Sequence, residues 1–451
     1  MSFLDRLRTK TVAMPLDVPA TDLGDAAPGH YLTDDPEADA PSDPWRYGFT
    51  RRRFIQSGAA AALGCAELSR QLITSTFSFR PAYASEVEQA TKTLVVLFLR
   101  GGVDGLNVVV PHGDPVYYER RPSLAIARQS DQLIDLGDGM FGLNAALQPL
   151  MSSWNDGRLA IAHAVASPDR SRSHFEAMRV METGGAGTGY LDRYMQLRAE
   201  RSAFSSVTLE GRLPQSMAGP VGELALGGSV DNFRLRGPDA DSDTLARVIR
   251  TMYDPLDHPS AAQVASTMDA LETAELLTDS GYEPANGAEY PPGPLGDKLR
   301  EVARLVKADV GLQVAAIDAG GFDTHTNERA DLDRHLTEIG AAVAAWATDL
   351  GDQLDNVTLM TMSEFGRRIE ENNNAGTDHG LANFMFMLGG GVRGGRVYTE
   401  WPGLDNDEGG DLPQAIDYRS VLGEWMLAHG GVGSINQVFP GFEYQEVGFT
   451  A

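Results

Sequence analysis

Aspartate, glutamate and histidine recur in this sequence inside short segments flanked by glycine. Asp104 stands in Arg100-Gly101-Gly102-Val103-Asp104-Gly105, and Asp323 and His325 stand in Gly320-Gly321-Phe322-Asp323-Thr324-His325. Glu364 lies in Ser363-Glu364-Phe365-Gly366-Arg367, and Asp378 and His379 lie in Gly376-Thr377-Asp378-His379-Gly380. Carboxylate oxygen with imidazole nitrogen suits divalent zinc, manganese, magnesium or calcium. Carboxylates crowded together repel one another unless cations or protons neutralise them. Ser173, in Arg172-Ser173-His174-Phe175, precedes a helical pattern through Met178 and Met181, which sets its hydroxyl beside the positive end of a helix. Arg100, Arg172 and Arg367 carry guanidinium forks that match tetrahedral oxyanions. The chemistry the acids and imidazoles would support is the binding of divalent cations at one place. Singly, each feature has an ordinary counterpart: a tight turn, a helix cap, a helix-start ion pair between Glu364 and Arg367. Their shared place, just after apolar runs, is what joins them.

Those runs are the elements that must position the groups. Thr93-Leu94-Val95-Val96-Leu97-Phe98-Leu99 is continuously apolar and closes on Arg100-Gly101-Gly102, the pattern of a strand buried on both faces. Similar runs occur at 159–162, 312–317, 357–362 and 384–388. Between several of them lie helical stripes: Leu299, Val302, Leu305 and Val306 on one, Leu332, Leu336, Ile339, Val343 and Trp346 on another. The stretch from Gln414 to His429 offers Ile416, Val421, Leu422 and Trp425 for a third. This alternation predicts an α/β fold, a mostly parallel sheet with helices on both faces. In such a sheet, loops past the carboxyl ends of the strands converge on one rim. About residues 203–294 the chain is richer in Gly, Pro, Ser and Asp and reads as an inserted cap. His163, His174 and His335 lack acidic or glycine neighbours of the same kind and read as structural histidines, while His429 fits either role.

Composition narrows the classes. The 451 residues are 42% hydrophobic and 22% charged, which suits a globular chain with a sizeable core. A net charge of −26 repels phosphate backbones and anionic lipid, so nucleic acid is not an expected partner. No apolar run reaches the roughly 18 residues of a membrane span, which argues against an integral membrane protein. Residues 1–49 mix Asp, Pro, Gly and Ala without period and read as a disordered arm. Thr50-Arg51-Arg52-Arg53-Phe54, the Ala-rich run to Gly64, and Ala82-Tyr83-Ala84 make residues 50–84 resemble a twin-arginine signal peptide cleaved after Ala84. The expected partner is then the twin-arginine export machinery, and the expected location is the periplasm or beyond the cell, leaving residues 85–451 as the mature domain. The single cysteine, Cys65, falls in that leader, which removes thiolate ligation of iron–sulfur clusters from the mature chain. Arg100-Gly101-Gly102-Val103-Asp104-Gly105 lacks the third glycine of a dinucleotide fingerprint, which disfavours an oxidoreductase.

Four segments together, Leu99 to Asn107, Arg172-Ser173-His174-Phe175, Gly321 to His325, and Ser363 to Gly380, resemble domain-of-unknown-function family 1501, itself similar to the alkaline phosphatase and sulfatase superfamily. The resemblance covers nearly all of the mature chain. It implies an alkaline phosphatase-like fold, an aspartate after the first strand (Asp104), a nucleophile at a helix start (Ser173), and further Asp and His ligands around two metals. Asp323 and His325 resemble the downstream pair, at a shorter spacing than usual. The last ligands align in two ways. Either Asp378-His379-Gly380 matches the superfamily's Asp-His-Gly segment, or Ser363-Glu364-Phe365-Gly366 takes that place, with Glu364 for Asp, Phe365 for His, and His379 as the final histidine. Strand position favours the second. The resemblance implies a metal-dependent hydrolase of phosphate or sulfate esters; the alternative is an exported metal-binding or accessory protein without turnover, which the loss of an imidazole at Phe365 supports.

Overall fold

The computed structural model of the chain describes residues 92–451, apart from 200, 222, 236–241, 254–258 and 407. The arm and the arginine-pair leader lie outside the described residues.

Nine strands form the main sheet: β1 (Thr93–Leu99), β2 (Leu159–Ala166), β3 (Ser206–Thr208), β4 (Leu224–Ala225), β5 (Val314–Ala319), β6 (Val357–Met362), β7 (Asn383–Gly389), β8 (Arg396–Tyr398) and β9 (Ile416–Asp417). Their order is β8-β2-β7-β6-β1-β5-β3-β4, with β9 also paired to β2. All pairings are parallel except those of β7, which runs antiparallel to both β2 and β6. The fold is therefore mixed α/β with a mostly parallel sheet. β1 sits at its centre, Val95 opposite Ala315 on one side and Leu359 on the other.

The unbroken apolar run of β1 follows from burial on both faces. Val95, Leu97 and Leu99 join a core with Leu299, Val302 and Leu305 and with Leu332, Leu336, Ile339, Val343 and Trp346. Leu94, Val96 and Phe98 join the opposite core, with Tyr190, Leu191 and Tyr194 and with Val421, Leu422 and Trp425. Burying each such side chain fully contributes about 1.5–3 kcal/mol, so the central strand is pinned from two directions. The α-helices of six residues or more among those described are α1 (Pro115–Arg120), α2 (His174–Thr183), α3 (Tyr190–Gln196), α4 (Ser242–Tyr253), α5 (Pro259–Ser280), α6 (Pro294–Lys307), α7 (Glu328–Leu350) and α8 (Tyr418–Ala428), of which α6 and α7 cover one face of β1 and α3 and α8 the other.

Two boundaries differ from the sequence pattern. The run beginning at Leu312 enters the sheet only at Val314, because the Leu312 carbonyl accepts a hydrogen bond from the Thr93 hydroxyl at 2.7 Å ahead of the ladder. The stretch about 203–294 holds α4 and α5, and also β3 and β4, which extend the sheet past β5. It is part sheet edge, part helical addition.

Candidate metal centre

The carboxyl ends of β1, β2, β5 and β6 share one edge, and each leads straight into a polar segment. The antiparallel β7 reaches the same edge with its amino end, so the hairpin of Arg367–Glu371 and Thr377–His379 that precedes it arrives there too. Close approach requires glycine at Gly101, whose φ is +121° and where a Cβ would stand 2.5 Å from the Asp323 amide nitrogen.

Three imidazoles and one carboxylate meet at this edge. His174 begins α2 after β2, and its Nδ1 lies 2.9 Å from Glu364 Oε1. His379 donates Nδ1–H to the Arg172 carbonyl at 2.9 Å, a carbonyl turned toward it by the left-handed φ of +56° at Arg172. His325 Nδ1 lies 3.2 Å from Asp378 Oδ1. With each Nδ1 held by an acceptor, the three Nε2 atoms carry the lone pairs that face inward. His325 Nε2 and His379 Nε2 are 2.9 Å apart, and they stand 3.1 and 3.2 Å from Asp323 Oδ1. His174 Nε2 is buried without a hydrogen-bond partner, 3.4 Å from Asp323 Oδ2 but outside hydrogen-bond geometry. Ligand atoms of His174, Asp323 and His379 all lie within 4.8 Å of one another.

Bare imidazole nitrogens pressed together against a carboxylate need a positive charge between them. Arg367 supplies some of it from behind, donating to Asp323 Oδ1 at 2.8 Å, with its other donors on the Gly101, Gly102, Phe322 and Thr377 carbonyls. Burial raises the Asp323 pKa, but the hydrogen bond and charge of Arg367 overturn that and hold the group below the usual carboxylate range. Asp378 behaves likewise, raised by burial but lowered on balance by Asn372 and His325. The donor set, the orphaned His174 nitrogen and the anchored Nδ1 atoms together fit a cation. The Phe365 ring closes the inner wall, its centroid 4.9 Å from that of His174 and 4.6 Å from that of His379. On the outer side Asp323 is 49% and His325 41% exposed, so the centre opens to solvent.

Of the residues marked in the sequence, the structure brings together Asp323, His325 and His379. Glu364 and Asp378 stand behind them, each bound to the far nitrogen of a histidine. Asp104 is apart from the cluster, because both its oxygens accept from the buried Arg121 guanidinium, one at 2.9 Å. Burial alone would raise the Asp104 pKa, and Arg121 overturns that; Glu328 beside it is pushed well up by burial and by the Asp104 charge. Arg100 is not free to clamp an anion, since it is tied to Glu182 at 2.7 Å and Asp318 at 3.0 Å. Arg367 is buried in its carbonyl nest. Arg172 is partly exposed and paired with Asp411 at 2.5 Å. Ser173 is exposed at the start of α2, and its side chain does not cap that helix.

His174 is the correction. Sequence neighbours were the wrong criterion for it, because its acidic partner Glu364 lies 190 positions away. The available signal was its place directly after Ser173 at the helix that follows β2. His163, by contrast, is fully buried, with Nε2 2.9 Å from the Val109 carbonyl, and is structural as expected.

Fold and cluster define an α/β protein with a histidine–aspartate cluster at the carboxyl edge of its sheet. The chain belongs to the family described as "Protein of unknown function (DUF1501)", which it matches over residues 132–416. No curated protein matches it. Among solved structures it is similar to the PsFucS1 sulfatase from Pseudoalteromonas sp., at 12% identity and a TM-score of 0.35 over 88% of this chain and 76% of that one. It is also similar to the zinc complex of the C-terminal periplasmic domain of EcEptC from Escherichia coli, at 8% identity and a TM-score of 0.36 over 82% and 92%. Among the described residues no helix is long and apolar enough to cross a membrane.

Proposed function

We propose that the protein is an exported, metal-dependent hydrolase of phosphate or sulfate esters, acting in the periplasm or outside the cell. The observation that carries the reading is the meeting of ligand atoms of His174, Asp323 and His379 within 4.8 Å at a solvent-open edge, with His325 Nε2 2.9 Å from that of His379 and every histidine anchored from behind. His174, Asp323, His325 and His379 would hold the ion. A nitrogen-rich set of this kind suits zinc better than magnesium or calcium, which prefer oxygen alone. When bound, the ion supplies Lewis acidity to an ester oxygen.

The chain's own groups supply the rest. Ser173, at the amino end of α2, is placed where the helix dipole lowers the cost of an alkoxide. Its oxygen attacks the phosphorus or sulfur, the bond to the departing alcohol breaks, and that alcohol leaves with the serine proton. Water then cleaves the seryl ester and restores the hydroxyl. Of the three arginines marked in the sequence, Arg172 has the most exposed guanidinium, and to meet an anionic oxygen it would have to share itself with Asp411, to which it is bound.

A second reading, a metal-binding protein without turnover, is favoured by the count of donors, since four protein ligands close a tetrahedral ion. Turnover separates the two. The full chain, loaded with zinc or manganese, is assayed on aryl phosphates and aryl sulfates beside Ser173→Ala. The hydrolase reading expects hydrolysis that falls at least about a thousandfold in the variant. Bound metal without hydrolysis selects the second reading, and unchanged turnover in Ser173→Ala removes that serine as nucleophile.

A further inference from the structure

We infer that the centre takes a single divalent cation, and that Arg121 supplies as a fixed guanidinium the positive charge a second ion would bring. The inference rests on the proposed metal centre and departs from the two-metal arrangement that the family resemblance implies.

Asp104 follows β1 where a ligand of a second ion would be expected, yet both of its oxygens are held by a guanidinium. Arg121 Nη2 donates to Asp104 Oδ1 at 2.9 Å, and Arg121 Nη1 donates to Oδ2. Both side chains are fully buried. The same guanidinium reaches on to the hairpin that carries His379, with Nε on the Ile369 carbonyl at 2.8 Å and Nη2 on the Arg368 carbonyl at 2.7 Å. A cation beside Asp104 would have to displace this fork or face its charge at contact distance.

The other carboxylates in reach are also taken. Glu364 Oε1 accepts from the Gly101 amide and from His174, both at 2.9 Å, and its Oε2 faces the Ser363 hydroxyl at 3.3 Å. Glu328, at the start of α7, accepts from the Thr377 hydroxyl and stands 3.5 Å from the Asn107 amide nitrogen. Thr377 directly precedes Asp378 and His379. Arg121 thus does two things: it neutralises the first-strand aspartate, and it holds the β1 turn against the hairpin of the metal ligands. It is a positioning residue, and it touches neither ion nor substrate.

The test counts ions. The full chain is loaded with manganese, passed through gel filtration, and measured by elemental analysis and electron paramagnetic resonance. One ion per chain with an uncoupled manganese spectrum is expected, and His379→Ala should lose it. Two ions per chain with a spin-coupled spectrum would overturn the inference and leave the metal centre standing, whereas no retained ion would overturn the metal centre and this inference with it. Arg121→Ala should admit a second ion and Arg121→Lys should not. A folded Arg121→Ala that still holds one ion would show that the guanidinium is not what excludes the second. Should Arg121→Ala fail to fold, the count and spectrum of the unaltered chain decide alone.

Discussion

Glu364 gives the sharpest test of how the centre is held, because glutamine and alanine remove different things there. The carboxylate is 2% exposed, and a single oxygen, Oε1, receives both the Gly101 amide and the His174 Nδ1–H. In Glu364→Gln the amide oxygen keeps both bonds, and the new amide donor meets the Ser363 hydroxyl oxygen, which already lies 3.3 Å from Oε2. Only the negative charge is lost. Its effect on His174 basicity belongs at the low end of what loss of an outer partner costs, about tenfold in metal affinity, or ~1.4 kcal/mol. In Glu364→Ala both donors lose their acceptor, and His174 is free to turn or to change tautomer, so affinity should fall about a hundredfold, or ~2.7 kcal/mol. Alanine also orphans a buried amide and leaves a void, about 2–4 kcal/mol of stability that glutamine should spare. Competition for zinc against a chromophoric chelator at neutral pH, with thermal melts of the metal-free proteins, measures both quantities. Zinc affinity unchanged within about twofold in the alanine variant would refute the claim that Glu364 acts through His174.

Two further substitutions test other parts of the structure. Gly101→Ala would force a methyl group to within 2.5 Å of the Asp323 nitrogen at a φ of +121°, so it should cost at least about 2 kcal/mol and displace Asp323, read as a lowered melting temperature with lost metal binding; an unshifted melt would contradict the tight approach of the two turns. Glu223 is 3% exposed with neither carboxylate oxygen hydrogen-bonded, the Ser206 hydroxyl being near but outside hydrogen-bond geometry, and burial first and the Asp192 charge second push its pKa well up. Because the folded value is raised, its stabilisation is complete below the ordinary carboxylate range and is lost as pH rises, at about 1.4 kcal/mol per pH unit until the acid ionises. Glu223→Gln should therefore match the wild type near pH 3 and exceed it increasingly above pH 5, and denaturant midpoints that stay parallel across that range would show that Glu223 is not held protonated.

Most of the scaffold was legible because burial writes itself into residue type. β1 and β6 begin and end where their apolar runs do, at Thr93–Leu99 and Val357–Met362, since both faces of each strand are covered. The stripes containing Leu305 and Trp346 read correctly as helices for the same reason. The small strands β3 and β4 did not stand out, because strands of three and two residues hold too few positions to show a pattern. In the site, Asp323, His325 and His379 were visible from their glycine-flanked segments. What sequence could not show was the division of labour: which carboxylate faces the centre and which stands behind a histidine depends on partners such as Glu364 and Arg121, far away along the chain. Asp104 looks like a ligand until Arg121 is seen against it, and nothing near residue 121 announces that pairing.

The direction of β7 carries a consequence for the order of events in folding. The loops after β1, β2, β5 and β6 leave the sheet at the rim, but His379 comes in ahead of a strand that has yet to be laid down, so its donor arrives only when β7 slots between β2 and β6. A coordinated ion would therefore fasten the last long strand of the sheet to segments made much earlier, a clasp that shuts after assembly instead of a seed that starts it. Chelation should accordingly speed unfolding more than it slows refolding.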